Sequence, residues 1–239
     1  MRTAVLSDIH GNLEALEAVL AACRASGVDD YVCLGDLVGY GASPNECVER
    51  MRALTDRTVA GNHDHAAVGM TDLDAFNPLA RAAAVWTAGQ LTPENADYLR
   101  ERPLVLSTED ALFVHATPHE PEAWHYVFDA YDAEACFAQT DRRLCFLGHS
   151  HVAFICVAGG HSREMAASSP ISEGRRYVIN AGSVGQPRDF DPRAAFALWD
   201  QDQREAQIVR VAYDIAGAQA RIVAAGLPPS LAERLALGR

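Results

Sequence analysis

An α/β fold of two packed sheets with helices outside them is predicted by three features of this 239-residue sequence. The first sixty residues run in a strand, turn, helix rhythm. The second half is rich in strand-like runs. Metal-type ligands stand just after successive apolar runs, at the strand ends where open α/β sheets bind ligands.

Thr3-Ala4-Val5-Leu6 reads as the first strand. Gly11 and Asn12 then open a helix whose apolar residues Leu13, Leu16, Val19 and Leu20 recur at helical spacing, until Gly27 stops it after Ser26. Tyr31-Val32-Cys33-Leu34 is the second strand, followed by a glycine-rich loop from Gly35 to Gly41 and a helix with Ser43 as N-cap and Pro44 at N1. Arg57-Thr58-Val59-Ala60 is expected as a third strand. Alternating strands and helices with short connections predict parallel strands covered by helices. Residues 65–102 break the rhythm: helices over 78–90 and 93–100, the latter capped by Thr92, form a helical insertion beside the ligand groups. Strands follow near 104–107, 111–115, 144–147, 152–157, 177–180, 194–199 and 206–212, and helices near 214–225 and 230–237 close the chain. Gly159-Gly160 and Ser168-Ser169-Pro170 mark loops. One domain over 1–239 is expected.

The 49% hydrophobic and 22% charged content is that of a soluble globular protein, and no apolar run reaches the length of a membrane span. The N-terminus reaches Asp8 without the basic, apolar and cleavage regions of a secretory signal, so the expected compartment is the cytoplasm. Cys23, Cys33, Cys47, Cys136, Cys145 and Cys156 show no CxxC spacing and read as reduced, structural thiols. A net charge of -12 with no basic cluster disfavours a long polynucleotide partner. All twenty basic residues are arginine, to which no function is attached.

Five strings carry the chemistry: Asp8-Ile9-His10, Gly35-Asp36, Gly61-Asn62-His63-Asp64, His115 and Gly148-His149-Ser150-His151. Residues i and i+2 of a strand face the same way, so Asp8 and His10 can reach one metal from a single strand end. His149 and His151 share that spacing, and a turn at Gly148 would let each serve a different metal. The glycines before Asp36, Asn62 and His149 fit sharp turns or close backbone approach. Carboxylate, imidazole and one amide, without thiolate, suit two divalent ions such as Mn, Fe, Zn, Co or Ni. Two such ions outweigh the charge of Asp8 and Asp36, and the surplus can hold a hydroxide and a phosphate. Hydrolytic phosphoryl transfer requires that: a metal-bridging hydroxide as nucleophile, Lewis-acid contact to the phosphate oxygens and in-line geometry. His63, as imidazolium, would stabilise developing charge or protonate the leaving oxygen.

The pattern D-x-H, G-D, G-N-H-[DE], H and G-H-x-H closely resembles that of the calcineurin-like metallophosphoesterase superfamily. The resemblance implies a four-layer α/β/β/α sandwich of two mixed sheets flanked by helices. It implies that Asp8, His10 and His151 bind one ion, that Asn62, His115 and His149 bind the other, that Asp36 bridges them, and that His63 is the catalytic histidine. The phosphoprotein phosphatases of the superfamily continue their aspartate motif as G-D-x-x-D-R-G, where this chain has Gly39, Tyr40 and Gly41. The second Asp orients the catalytic histidine and the Arg grips phosphate, so a protein phosphatase is disfavoured and the means of holding His63 is left open. Gly35 to Gly41, the run Asn180 to Arg188 and the helical insertion look instead like a bacterial branch of small phosphodiesterases, whose relatives include dinucleoside polyphosphate hydrolases.

The resulting expectation is a dinuclear enzyme hydrolysing a phosphodiester or phosphoanhydride of a small, nucleotide-type substrate. Alternatives are a phosphomonoesterase or protein phosphatase, and a non-catalytic scaffold, against which the intact ligand set argues. Asn12, His119 and Arg188 are candidate substrate contacts. Asn12 has a simple N-cap as its alternative use, and Arg188 an ion pair with Asp189 or Asp191. His65, His125 and His161 read as ordinary polar residues, and Trp86, Tyr98 and Trp124 as packing residues before base-stacking ones.

Overall fold

The computed structural model describes residues 1–158 and 167–239. Gly159-Gly160 and His161 lie outside the described residues. Ten strands and eight α-helices are found among those described. In chain order they are β1 (Arg2–Leu6), α1 (Leu13–Ala25), β2 (Asp30–Cys33), α2 (Pro44–Arg52), α3 (Asn62–Ala67), α4 (Pro78–Gln90), α5 (Pro93–Arg100), β3 (Val105–Ser107) and β4 (Ala111–Val114). The second half adds α6 (Ala130–Gln139), β5 (Leu144–Leu147), β6 (Phe154–Val157), β7 (Ser168–Pro170), β8 (Tyr177–Asn180), β9 (Ala194–Asp200), β10 (Glu205–Val211), α7 (Ile215–Ala224) and α8 (Pro229–Glu233).

Two mixed five-stranded sheets result, ordered β2-β1-β9-β10-β7 and β3-β4-β5-β8-β6. β1 runs parallel to β2, and β4, β5 and β8 run parallel to one another. The period-2 alternation of side chains builds the layers. Val5, Ala195, Ala197 and Trp199 of the first sheet meet Phe113, Phe146 and Ile179 of the second between the sheets. The opposite face of the first sheet, with Ala4, Leu6 and Phe196, packs on Leu16, Val19 and Leu20 of α1 and Val48 and Met51 of α2. The opposite face of the second, with Cys145, Leu147 and Val178, packs on Ala133, Cys136 and Phe137 of α6. The layering is α/β/β/α. No described helix is long and apolar enough to cross a membrane.

The structure departs from the sequence-based expectation in four elements, the first being α3 (Asn62–Ala67), which was not anticipated. Residues 57–60 run extended, but they make a single bridge, Cys33 to Thr58, and no ladder. The segment is caught between a turn, where Thr58 N–H donates to the Asp56 carbonyl at 3.1 Å, and α3. Ser168-Ser169-Pro170, read as a loop, is edge strand β7, where a proline is tolerated because one side of the ladder is unpaired. α6 was not anticipated, although Asp129 caps it twice and its buried residues sit at positions 133, 136 and 137, one helical stripe.

Candidate metal centre

Parallel strands of both sheets end on the same side of the sandwich, and the ligand-type residues emerge there from their C-terminal ends: Asp8 and His10 after β1, Asp36 after β2, His115 after β4, His149 and His151 after β5. Asn62 and His63 begin α3 beside them. The expectation that Asp8 and His10 share a face because they lie in a strand is incorrect in its cause. β1 ends at Leu6, and Asp8 and His10 both have left-handed backbone, φ 53° and 50°. Asp36, His149 and His151 are left-handed too, at 51°, 63° and 59°. Such conformations are sparsely populated by non-glycine residues and persist where the surroundings over-determine them. Here the loops are bonded to one another: Asp8 N–H to Gly35 O at 3.1 Å, His10 N–H to Asp36 O at 2.9 Å, Gly148 N–H to His115 O at 2.9 Å. Gly61 is required for proximity, because a Cβ there would lie 2.1 Å from Asp36 Oδ1.

Two groups of buried side chains assemble, Asp8 with His10 and His151, and Asp36 with His115 and His149. His10 Nδ1 lies 2.9 Å from Val38 O, His115 Nδ1 2.8 Å from Leu34 O, and His151 Nδ1 2.6 Å from Gln186 O. A carbonyl can only accept, so each Nδ1 carries a proton and each Nε2 is the nitrogen turned toward the other ligand-type residues. His149 is reversed: its Nε2 donates to Trp124 O at 2.9 Å, leaving Nδ1 turned inward. These inward ring nitrogens face one another, His10 Nε2 to His151 Nε2 at 3.2 Å and His149 Nδ1 to His115 Nε2 at 3.2 Å. Asp8 Oδ1 is 3.2 Å from His151 Nε2. Asp36 Oδ2 lies 3.6 Å from His10 Nε2 and 3.3 Å from His115 Nε2, between the groups. Asn62 Oδ1 is 3.3 Å from His115 Nε2. Asp8 Oδ1 and Asp36 Oδ2 are both buried without a hydrogen-bond partner. Orphaned carboxylate oxygens and facing imidazole nitrogens are what a divalent cation would satisfy, so the donor set fits one ion in each group.

Electrostatics follow burial and partner. Burial pushes the Asp8 carboxyl up, but the adjacent imidazoles of His151 and His10 outweigh it and hold the group well below the carboxylate range. Burial opposes ionisation of Asp36 too, and His115 and His63 overcome it. Burial, reinforced by His115, drives His149 down to about 3, and burial with Arg188 drives His151 down to about 4. Burial lowers His115 as well, yet the Asp36 carboxylate beside it brings it up to about 9. A proton and a cation would compete for the same His115 Nε2.

His63 stands outside both groups and is the first residue after Asn62 in α3. Its backbone N–H donates to Asp36 Oδ1 at 2.8 Å, and its Nδ1 is buried without a partner. Among the described residues no carboxylate orients the ring. Tyr40, His10 and Phe76 cage it, with centroids 4.5, 4.9 and 5.0 Å away. Gly39 is what lets the ring in: a Cβ there would lie 2.6 Å from His63 Nδ1. The adjacent carboxylate does another job, since Asp64 accepts from Val38 N at 3.2 Å and Gly61 N at 3.1 Å and ties two ligand-bearing loops together. Burial and the Asp36 charge push Asp64 up to about 7.

A cleft of about 230 Å³ opens on the centre between Tyr40, His63, Phe76, Trp124, Tyr126 and His149. Tyr126 and Phe76 were not singled out from the sequence, because nothing periodic marks a residue brought in by a loop. The Tyr126 ring stacks on His149 at 4.1 Å. Trp124 is at the cleft as well, while Tyr98 is buried under Arg102 and Trp86 packs against the α4 and α7 cluster. Asn12 does not reach the cleft: its Oδ1 caps α1 through Ala15 N at 3.1 Å and its Nδ2 donates to Gly185 O at 2.8 Å. His119, 53% exposed and paired with Glu120, is not among the cleft residues. Arg188 stands over the Tyr40 ring at 5.4 Å, bonded to Gln186 Oε1 and to neither Asp189 nor Asp191.

Residues 1–204 match the calcineurin-like phosphoesterase superfamily domain. The chain is 43% identical to an uncharacterized protein of Methanocaldococcus jannaschii, over 99% of its own length and 98% of that protein's. It is 44% identical to a metallophosphoesterase from Sphaerobacter thermophilus of known crystal structure, with a TM-score of 0.88 and 100% and 99% of the two chains covered. The symmetrical bis(5'-nucleosyl)-tetraphosphatase of Sodalis glossinidius is 31% identical over 120 residues, which is 48% of this chain and 42% of that protein. With its ligand pattern, layers and matched domain in agreement, the chain belongs to the calcineurin-like phosphoesterase superfamily and is a hydrolase of phosphoric ester bonds.

Proposed function

We propose that the protein is a two-metal hydrolase of phosphodiester or phosphoanhydride bonds in a small, nucleotide-type substrate. One observation carries this reading: two pairs of facing imidazole nitrogens and two orphaned carboxylate oxygens meet around Asp36 at the floor of a cleft. Asp8, His10 and His151 would hold one ion, Asn62, His115 and His149 the other, with Asp36 between them. When bound, such ions supply Lewis acidity toward the phosphoryl oxygens and lower the pKa of an attacking water.

The chain's own residues do the rest. His63 is assigned to the leaving oxygen: it is the motif histidine outside both ligand groups, it lines the cleft, and with Nδ1 buried its Nε2 remains for substrate. Tyr40 and Phe76 hold its ring. Arg188, over the Tyr40 ring, supplies positive charge near His151. Two observations support a small substrate over a phosphoprotein. The cleft is smaller than those that enclose whole drug-sized ligands, so it takes the phosphoryl end while the remainder lies over the rim. The positions used by phosphoprotein phosphatases for a carboxylate and an arginine are Gly39 and Tyr40. Relatives named as bis(5'-nucleosyl)-tetraphosphatases support a nucleotide-type substrate by analogy.

The test strips the protein of metal, reloads it with Mn, Fe, Zn, Co or Ni in turn, and assays a phosphomonoester, a phosphodiester, a dinucleoside tetraphosphate and a phosphopeptide. Metal-dependent preference for the diester or the tetraphosphate is expected. Full activity in chelated protein, or preference for the monoester or phosphopeptide, overturns the reading.

A further inference from the structure

A run of aromatic rings leads from the metal centre to solvent along one wall of the cleft. Residues 124–128 form no regular element, and Val127 is buried with Val114 and Phe137 in the core under α6. Its neighbours Tyr126 and Phe128 are turned out instead, 48% and 51% exposed. The segment is pinned on both sides of them: Trp124 O accepts from His149 Nε2 at 2.9 Å, and Phe128 N–H donates to Asp132 Oδ2 at 2.9 Å. The Tyr126 ring, which lines the cleft, lies 4.1 Å from the His149 ring at an interplanar angle of 19°. The Phe128 ring lies 5.1 Å from Tyr126 at 9°. Near-parallel rings thus follow one another from a ligand-type histidine to the outside.

The other aromatic rings of the cleft are used differently. Trp124 stands edge-on to His65 and His115, at 86° and 72°, and Phe76 stands at 72° to His63. Tyr40 lies against both His10 and His63. Those rings hold the histidines of the centre. Tyr126 and Phe128 leave about half of their surface in water, and a flat apolar group laid on them would recover the burial that they forgo. Their offset parallel arrangement is the one that a further aromatic ring extends.

We propose that Phe128, held on Tyr126, is a base-stacking residue: the nucleobase of the substrate lies on the Tyr126–Phe128 surface while a phosphate of the same nucleotide occupies the cleft. This rests on the phosphoesterase reading and gives it a specificity-determining residue. Every base has a π face, so the surface accepts any base, with purines offering the larger overlap. Tyr126 is in addition a positioning residue, because the ring that carries Phe128 also covers His149.

Isothermal titration calorimetry of metal-loaded protein with adenosine 5'-monophosphate and ribose 5-phosphate tests it without relying on turnover, since the two ligands share sugar and phosphate and differ by the base. Wild type is expected to bind the nucleotide at least about tenfold more tightly. Phe128→Ala should weaken the nucleotide about tenfold, the scale of one base–aromatic stack, and leave ribose 5-phosphate unchanged. Phe128→Trp should keep the preference. Phe128→Leu, which retains apolar bulk without a flat face, should lose it as Phe128→Ala does. Equal affinity of wild type for the two ligands, equal weakening of both in Phe128→Ala, or a wild-type preference in Phe128→Leu overturns the proposal. A parallel assay of wild type separates the two readings. Metal-dependent hydrolysis of a phosphodiester by protein with no preference for the nucleotide over ribose 5-phosphate sinks the base site alone. A Phe128-dependent preference in metal-loaded protein that hydrolyses nothing sinks the enzymatic reading and supports the base site.

Discussion

His10 and His151 turn their Nε2 atoms toward each other across 3.2 Å, because each holds its Nδ1 against a backbone carbonyl. The carbonyls of Val38 and Gln186 thus set the tautomers before any ion arrives. The same logic, with the nitrogens exchanged, aims His149 Nδ1 at His115 Nε2. Such facing nitrogens beside unpartnered carboxylate oxygens are a donor set that a divalent ion would satisfy.

Metal binding should therefore stabilise the fold. An ion present at a hundredfold excess over its Kd contributes about 2.7 kcal/mol per site. At roughly 2–4 °C per kcal/mol for a chain of this size, chelation should lower Tm by several degrees, and adding Mn or Zn back should restore it. Differential scanning calorimetry checks this. An unchanged Tm in verified metal-free protein would show that the facing nitrogens hold no ion.

Asp36→Asn should disable both groups together. Asp36 Oδ2 sits between His10 and His115 while Oδ1 accepts from the His63 backbone, so an amide removes the shared charge without removing the shape. Hydrolysis should fall at least about a hundredfold, with metal content below two ions per chain by elemental analysis. His119→Ala, exposed and outside the cleft, is the matched control and should stay near wild type. Full occupancy and activity in Asp36→Asn would remove Asp36 from the bridging position.

The residues that the structure gathers into the two buried groups stood out in the sequence because each follows an apolar run, and the layers because Leu144 and Phe146 alternate with Cys145 and Leu147 between two cores. What was not legible depends on contacts distant in sequence. Asn12 has the composition of an anion contact, yet Gly185, far along the chain, takes its amide. The cage around His63 needs Phe76 from the helical insertion, and α6 was hidden because a polar first turn, Asp129 to Asp132, reads as loop. β7 has no apolar residue to announce it and forms only because β10 offers an edge.

Gly39 and Gly69 separate cage from backbone strain. Both have positive φ, +93° and +76°, but a Cβ at 39 meets His63 Nδ1 at 2.6 Å while one at 69 meets nothing within 4 Å. Each alanine should cost about 1–3 kcal/mol of stability through the left-handed backbone. Gly39→Ala alone should also lower kcat, by about tenfold or more, with metal content retained, since His63 must shift. Stability and kcat measured on both variants decide it, and equal kcat in the two would mean that His63 placement is immaterial to turnover.

Asp64 is next to His63 in sequence but works on the loops. Its two oxygens accept from Val38 N and Gly61 N, and those residues flank the segments that carry Asp36 and Asn62. Asp64→Asn keeps the size but leaves one accepting oxygen and turns an N–H donor toward a backbone N–H. One buried donor then loses its partner, at about 1–3 kcal/mol. Tm should fall by several degrees at roughly 2–4 °C per kcal/mol, and the affinity for metal should weaken because the loops are no longer tied. Calorimetry and metal titration on the same preparation report the two effects separately. A lowered Tm with unchanged metal affinity would reduce Asp64 to a structural cap. Loss of both ties the geometry of the centre to a carboxylate that touches neither ligand group.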